Sequence, residues 1–219
     1  MTSSAPVAHD LFLLADRTAL TAPDGAALDP SATVAAAATV SGAAGAWVVV
    51  RRATVRSGWI PVGIRGPKRS DRFAAEVPAD TLLRAVSPAD VPRTPVPQRA
   101  SLPAFRALRA FGRIAAAVFP GLAWGPVGSV GYELVTGRPA VTATSDLDVV
   151  LIADEPLHRP DVHRGIEAAA WLAARVDLQV RTPGGGFALA EWAREPGGVP
   201  IVLRTDRGPL LTTNPWSVL

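Results

Sequence analysis

Polar and apolar residues alternate over several short stretches in the second half of this 219-residue chain. Alternation with a period of two is typical of a strand with one buried face. Apolar residues at helical spacing predict a long helix from Ser101 to Phe119, with Ser101 as its N-cap. The same two patterns predict strands at Leu147–Ile152, Asp177–Val180 and Pro200–Arg204, helices at Val130–Val135, Val162–Arg175 and Ala188–Arg194, and a glycine loop at Gly184–Gly186.

The first half of the chain is richer in predicted strands. Apolar runs bounded by turn residues predict strands at Ala46–Ala53 and Gly58–Gly66, whereas the small residues of 26–44 predict no clear element. Four prolines between Ser87 and Pro97 indicate a linker or an extended crossing strand, because proline fixes φ and lacks a backbone donor. We therefore expect a small mixed domain over residues 1–90 and a second over residues 91–219, with an α/β (α+β) fold and a mixed sheet.

The predicted strand at Leu147–Ile152 begins with a pair of acidic residues. Because successive side chains on a strand point to opposite faces, Asp146 and Asp148 share one face while Leu147 and Val149 point to the core. Neighbouring carboxylates repel each other, and a divalent cation removes that cost. Mg²⁺ or Mn²⁺ is therefore the expected metal, although two solvated acids at a strand end fit the same pattern.

A Gly-Ser turn precedes the predicted helix at Val130–Val135. Free N–H groups and the helix dipole at such a position favour an anion, which predicts that Gly128 and Ser129 bind phosphate. Ser129 also suits an N-cap without any ligand, and the two interpretations are compatible. Ser145, directly before the acidic pair, either binds phosphate or shapes the entry to the strand. A phosphate cradle beside metal carboxylates indicates nucleotidyl or phosphoryl transfer.

The order of these residues resembles the nucleotidyltransferase superfamily typified by DNA polymerase β. Its signature is an apolar residue, Gly, Gly or Ser, a spacer and then Asp-x-Asp in a strand. Val127, Gly128, Ser129, Asp146 and Asp148 match it, with a spacer longer than most of that superfamily has. The strings GSVGYELVTG, TSDLDVVL and VDLQVRTPGGGFALAEWAR resemble more specifically the malonate decarboxylase holo-acyl-carrier-protein synthases, also called phosphoribosyl-dephospho-CoA transferases.

The resemblance implies a nucleotidyltransferase fold for the C-terminal domain and a substrate- or partner-binding N-terminal domain. It implies transfer of a phosphoribosyl-dephospho-CoA group from triphosphoribosyl-dephospho-CoA to a serine of the malonate decarboxylase acyl carrier protein, with release of pyrophosphate. Asp146, Asp148 and Asp177 would then be catalytic residues and metal ligands, since the superfamily usually adds a third carboxylate from a neighbouring strand. Without the resemblance, Asp177 equally fits an ordinary acid at a strand edge.

Basic residues concentrate between positions 51 and 72, where Arg65, Lys68, Arg69 and Arg72 follow one another closely. Such a cluster suits contact with a polyanion. The resemblance implies two possible polyanions, an acidic carrier protein and the phosphates of the donor. A solvated surface of an arginine-rich chain is the alternative.

The composition narrows the classes of function. The lack of cysteine excludes disulfides, thiolate catalysis and cysteine-based metal sites, and fits a cytoplasmic protein. No apolar run approaches the ~20 residues of a membrane span, and a net charge of +3 does not predict nucleic-acid binding.

Two other functions stay open. One is a metal-dependent nucleotidyltransferase that modifies another small molecule or protein, and the other is a non-catalytic module that binds a carrier protein.

Overall fold

A computed structural model describes residues 6–41, 44–66, 71–194 and 198–217 of the chain. The chain divides into two compact units, Met1–Ser87 and Pro88–Leu219. Each unit combines a six-stranded sheet with helices, which confirms the predicted α+β class. Within the described ranges, no helix is long and apolar enough to cross a bilayer.

The N-terminal unit is built on an antiparallel sheet with strand order β5-β4-β3-β1-β6, with β2 paired to β3. Side chains from one face of this sheet and from one helix form its core, among them Phe12, Leu14, Val48, Val62 and Ile64. The elements are β1 (Leu11–Leu14), α1 (Pro30–Ala38), β2 (Val40–Ser41), β3 (Ala44–Val50), β4 (Trp59–Arg65), β5 (Arg72–Pro78) and β6 (Leu82–Val86).

Helix α1 lies in the stretch for which the sequence predicts no element. Asp29 is its N-cap and accepts a hydrogen bond from Ala32 N at 2.9 Å, and Pro30 occupies the first turn, where its missing N–H costs nothing. The helix is almost uniformly small and apolar, so it lacks the periodic pattern that reveals an amphipathic helix. Strand β3 ends at Val50, three residues before the predicted end of the strand.

The C-terminal unit holds a mixed sheet with strand order β12-β11-β10-β9-β8-β7. Strands β8 and β9 pair in parallel, and the other neighbours pair antiparallel. The elements are α2 (Pro103–Val118), β7 (Ala123–Pro126), α3 (Gly128–Thr136), β8 (Leu147–Ile152), α4 (Arg159–Ala170), β9 (Val176–Thr182), β10 (Gly185–Ala188), α5 (Leu189–Arg194), β11 (Ile201–Thr205) and β12 (Gly208–Thr212).

Helix α4 connects the two parallel strands and packs against α2. Parallel strands need such a crossover, because the chain must return to the edge at which the first strand began. Both helices contribute to a core that also contains Leu147, Val149 and Leu151 from alternate positions of β8. On the other face, β9 carries the polar residues Asp177, Gln179 and Arg181, whereas β8 carries Asp148 and then the buried Val150.

Two predicted helix boundaries are wrong. Helix α2 starts at Pro103 with Leu102 at the N-cap, so Ser101 does not cap it; a proline suits the first turn and sets this start. The helix predicted over Val162–Arg175 spans Arg159–Ala170 instead. Its end comes early because Arg175 already belongs to the sheet edge, where its carbonyl accepts a hydrogen bond from Leu147 N at 2.8 Å.

Two predicted irregular segments are also corrected. Gly185 and Gly186 are not loop residues but the start of β10, which pairs with Thr182 and Arg181 of β9 across a short turn. The proline-rich stretch at 87–97 is not only a linker. A short 3-10 helix at Pro88–Asp90 packs against β7, and its backbone comes so close to Gly125 that a Cβ there would overlap the Pro88 carbonyl.

Candidate functional site

Two carboxylates lie side by side at the start of the parallel strand pair. Asp148 of β8 and Asp177 of β9 are direct register partners, on strands that run ~4.8 Å apart. Their neighbours Leu147, Val149 and Leu178 are buried, so both aspartates point to the opposite face of the sheet. Both are partly exposed, with the Asp177 side chain at 36%. This pairing places two acidic side chains on one patch of accessible surface.

Asp146 lies two residues before Asp148, just outside the strand. Among the described residues, no three His, Cys, Asp or Glu side chains are arranged to hold a metal ion between them. The structure thus brings Asp148 and Asp177 together without gathering all three aspartates into one cage. Two carboxylates still fit Mg²⁺, which is usually held by one or two carboxylates together with substrate phosphates.

Gly128 joins the acidic pair to the start of helix α3. Its φ is 61°, in the left-handed region that favours glycine. A Cβ at this position would overlap Oδ2 of Asp148, and the backbone of Val127 is held to the Asp148 carbonyl by a 2.9 Å hydrogen bond. Only glycine therefore lets the first turn of the helix approach the carboxylate so closely, which explains why the Gly-Ser turn and the acidic strand act as one structural unit.

Ser129 is the second residue of α3, and Val127 occupies the N-cap position. The alternative interpretation of Ser129 as N-cap is therefore wrong. Gly131 N donates to Val127 O, so the N–H groups of the preceding helical residues have no partner within the helix. The Ser129 hydroxyl makes no hydrogen bond to any described residue. Free donors at a helix start suit a phosphate, and phosphate binding by Gly128 and Ser129 stays a prediction.

Ser145 fixes the turn that leads into β8. Its hydroxyl accepts a hydrogen bond from Thr142 N at 2.9 Å, and the Thr142 hydroxyl lies 3.1 Å from it and 3.3 Å from the hydroxyl of Thr144. These contacts support the interpretation in which Ser145 shapes the strand entry. Its predicted contact with substrate stays a prediction.

A buried ion pair anchors the long spacer between α3 and β8. Arg99 donates to both carboxylate oxygens of Glu133, and Glu133 also accepts from Ala140 N and Val141 N at 2.7 Å each. Burial alone raises the pKa of Glu133, but the hydrogen bonds from Arg99 and the two backbone N–H groups outweigh it, and the pKa lies below its usual value. The sequence gives no sign of this contact, because its partners lie 34 residues apart.

Arg175 is a further site residue that the sequence does not reveal. Its guanidinium donates to Oδ1 of Asp177 at 2.8 Å, and its side chain is 75% exposed. The pattern places Arg175 at a helix end, whereas the structure places it at the sheet edge beside the acidic pair. An exposed arginine at this point adds positive charge beside the acidic pair.

Comparison with known proteins matches both units. The family model of the phosphoribosyl-dephospho-CoA transferase MdcG C-terminal domain covers residues 93–215, and that of the MdcG N-terminal domain covers residues 7–88. The chain belongs to the phosphoribosyl-dephospho-CoA transferase family. This membership confirms the resemblance drawn from the sequence and makes the protein a transferase.

Curated relatives carry the same family name. A phosphoribosyl-dephospho-CoA transferase of Pseudomonas putida is 38% identical over 177 residues, which are 81% of this chain and 83% of the relative. Those of Azotobacter vinelandii and Klebsiella pneumoniae strain 342 are each 39% identical, over 80% and 77% of this chain and 82% and 80% of their own lengths. No solved structure matches the chain, so the nucleotidyltransferase fold stays an expectation.

The predicted basic cluster of this transferase lies in its N-terminal unit. Arg65 and Arg72 are register partners at the end of the β4–β5 ladder, whereas Lys68 and Arg69 lie outside the described residues. Arg56 is engaged elsewhere, since it lies 3.6 Å from the buried Glu76 carboxylate and stacks on Trp59. The role of the cluster in binding a substrate or partner stays a prediction.

Proposed function

We propose that this transferase moves the phosphoribosyl-dephospho-CoA group from triphosphoribosyl-dephospho-CoA to a serine of the malonate decarboxylase acyl carrier protein and releases pyrophosphate. The observation that carries the proposal is the pairing of Asp148 with Asp177 next to the free helix start at Gly128 and Ser129. Family membership supports the donor, and the acceptor follows from the resemblance of the sequence. The lack of cysteine accords with a reaction in the cytoplasm.

The donor would bind with its phosphates at the start of α3. The N–H groups of the first helical turn, the Ser129 hydroxyl and the Arg175 guanidinium all offer hydrogen-bond donors to an anion. Asp148 and Asp177 would hold Mg²⁺ or Mn²⁺, which when bound would supply positive charge to neutralise the phosphate oxygens. The role of this chain is thus to fix the position of the α-phosphate relative to the acceptor.

The carrier serine would attack in line with the leaving group. A bond forms between the serine oxygen and the α-phosphorus, and the bond from that phosphorus to pyrophosphate breaks. The serine proton would pass to the Asp177 carboxylate, whose two oxygens have lone pairs beyond the one that accepts the hydrogen bond from Arg175. The proposed roles of Asp148 and Asp177 therefore differ, with Asp148 serving donor binding and Asp177 also serving the acceptor.

Intact-mass spectrometry of the carrier protein tests this function. Purified protein is incubated with triphosphoribosyl-dephospho-CoA, Mg²⁺ and apo-carrier, and pyrophosphate is measured in parallel. The carrier should gain the mass of one phosphoribosyl-dephospho-CoA group, and a carrier with its acceptor serine changed to alanine should gain none. Pyrophosphate release onto a different acceptor would favour another nucleotidyltransferase, and carrier binding without any transfer would favour a non-catalytic module.

A further inference from the structure

A basic groove lies on the helical side of the C-terminal unit. It is an open groove with a volume of about 440 Å³. It is lined by Arg106, Arg109 and Arg113 of α2 together with the segment Trp171–Ala173 that follows α4. No described residue that lines it is acidic. The groove therefore presents positive charge and one large aromatic ring to the solvent.

The three arginines form a row along one face of α2. Positions three and seven residues apart lie on the same side of a helix, and seven residues span ~10 Å at 1.5 Å per residue. The opposite side of the helix is fixed in the core by Phe105, Leu108 and Phe111. All three arginines are exposed, and within the described ranges none of them forms an ion pair. Their charge is therefore available to a binding partner.

Trp171 differs from the other tryptophans of the described chain. Four of the six tryptophans in the chain are buried, and a fifth is covered by the Arg56 guanidinium, whereas Trp171 is 90% exposed. Leaving so large an apolar surface in water is unfavourable, and exposed tryptophan and arginine side chains are enriched where proteins bind each other. The ring lies beside the arginine row, so both features belong to one surface.

The groove lies near the end of the sheet that carries the acidic pair. Its segment Trp171–Ala173 ends two residues before Arg175, which donates to Asp177 and accepts from Leu147 N. Two residues of chain reach at most ~7 Å. A protein docked in the groove is thus placed at the edge of the sheet where β9 begins, next to the segment that leads to Asp177.

We infer that this groove is the docking surface for the carrier protein, which it recognises through an acidic helical face. The inference rests on the proposed function, because that function supplies a protein acceptor. The charge and the open shape of the groove favour a protein as its ligand over the phosphates of the donor. The arginines and Trp171 are exposed on an open surface, whereas small-ligand sites are concave and bury most of the ligand. An acidic helix laid along α2 would match the arginine row in length and charge.

Direct titration of the protein with apo-carrier tests the inference without requiring any chemistry. Calorimetry compares the wild type with Arg106→Glu/Arg109→Glu, Trp171→Ala and the control Arg207→Glu, which reverses an exposed charge in the β11–β12 turn. The double reversal should weaken carrier binding about tenfold or more, because rim charges act together, and Trp171→Ala should weaken it as well. The control should bind like the wild type, and thermal unfolding of each variant checks its fold.

Steady-state kinetics separate this inference from the proposed function. KM for the carrier should rise in the groove variants while KM for the donor stays unchanged. A rise in donor KM with normal carrier binding would assign the groove to phosphate and overturn the inference. Wild-type behaviour of all variants would also overturn it while leaving the transfer reaction intact. If the protein binds the carrier through the groove but shows no transfer activity, the inference is supported and the proposed function is refuted.

Discussion

Each sheet of this protein places two like charges directly opposite each other on neighbouring strands. Arg65 faces Arg72 across the antiparallel β4–β5 ladder, and Asp148 faces Asp177 across the parallel β8–β9 ladder. Like charges in such positions destabilise a sheet. A group of opposite charge close to such a pair reduces this cost.

The two pairs differ in how firmly their surroundings hold them. Asp148 lies between the buried residues Leu147 and Val149, and its carboxylate packs against Gly128. Arg65 and Arg72 are the last residue of β4 and the first of β5, and arginine carries its charge at the end of a long rotatable side chain. The two pairs therefore differ in the packing around the charges more than in the charges themselves.

The largest effect is expected at the acidic pair. Asp148→Asn keeps the shape of the side chain but removes its charge, so transfer should fall by about a hundredfold or more, since metal stabilisation of transition-state charge is worth several kcal/mol. The mass assay on the carrier measures this loss. Asp154→Asn, an exposed aspartate just beyond the other end of β8, is the matched control and should retain activity. Equal loss in both variants would contradict a special role for Asp148.

Asp177→Asn should impair transfer to the carrier more than binding of the donor. Transfer to the carrier should be blocked because the acceptor for the serine proton is gone, whereas donor binding should largely survive at Asp148 and the α3 start. Calorimetry with the donor and the carrier assay on the same variant measure both quantities. Wild-type transfer would remove Asp177 from the site, and lost donor binding would make it chiefly a donor-metal ligand.

The stability of the spacer between α3 and β8 should depend on Arg99. Arg99→Met leaves the Glu133 carboxylate buried without its cation, so the free energy of unfolding should fall by about 1–3 kcal/mol, less than for a fully buried pair because the Arg99 side chain is 27% exposed. Urea denaturation measures this loss. Arg99→Met/Glu133→Gln removes both charges and should recover part of it. If the single variant is as stable as the wild type, the pair does not anchor the spacer.

The Glu133 carboxylate should also make the stability of the protein depend on pH. The pKa of folded Glu133 lies below its ordinary value of 4.5, because the hydrogen bonds to its charged form outweigh burial. Its contribution is therefore fully present above pH 4.5 and is lost as the pH falls through the folded pKa. The stability difference between the wild type and Glu133→Gln should be constant at neutral pH and shrink in acid. A difference that grows in acid would contradict this sign.

The smallest effect is expected at the basic pair. Arg72→Glu replaces a like-charged cross-strand pair by an attractive one and should stabilise the unit by about 0.2–1 kcal/mol. Arg84→Glu, at an exposed position opposite Leu13, is the control for the change in net charge and should not stabilise. Thermal unfolding compares them. The KM values of Arg72→Glu for donor and carrier also test whether the basic cluster meets either polyanion.

The sequence predicts the local parts of the site better than its long-range contacts. Alternation in β8 and the Gly-Ser pair near the start of α3 are local patterns, and the structure contains both elements, although α3 begins at Gly128 instead of Val130. The register that sets Asp148 opposite Asp177 depends on the length of the α4 crossover, which no local pattern fixes. The Arg99–Glu133 pair escapes prediction because tertiary packing brings together residues that lie 34 positions apart. The contact of Arg175 with Asp177 escapes prediction because the sequence pattern assigns Arg175 to a helix that ends at Ala170 in the structure.

Manganese binding in the presence of the donor tests most directly the claim that Asp148 and Asp177 form one metal-dependent site. Electron paramagnetic resonance of Mn²⁺ measures the fraction bound to the wild type, Asp148→Asn, Asp177→Asn and the Asp154→Asn control. The donor should promote Mn²⁺ binding to the wild type and the control, and Asp148→Asn should weaken it about tenfold or more, because one of two carboxylate ligands is lost. Equal Mn²⁺ binding by all four proteins would contradict that claim.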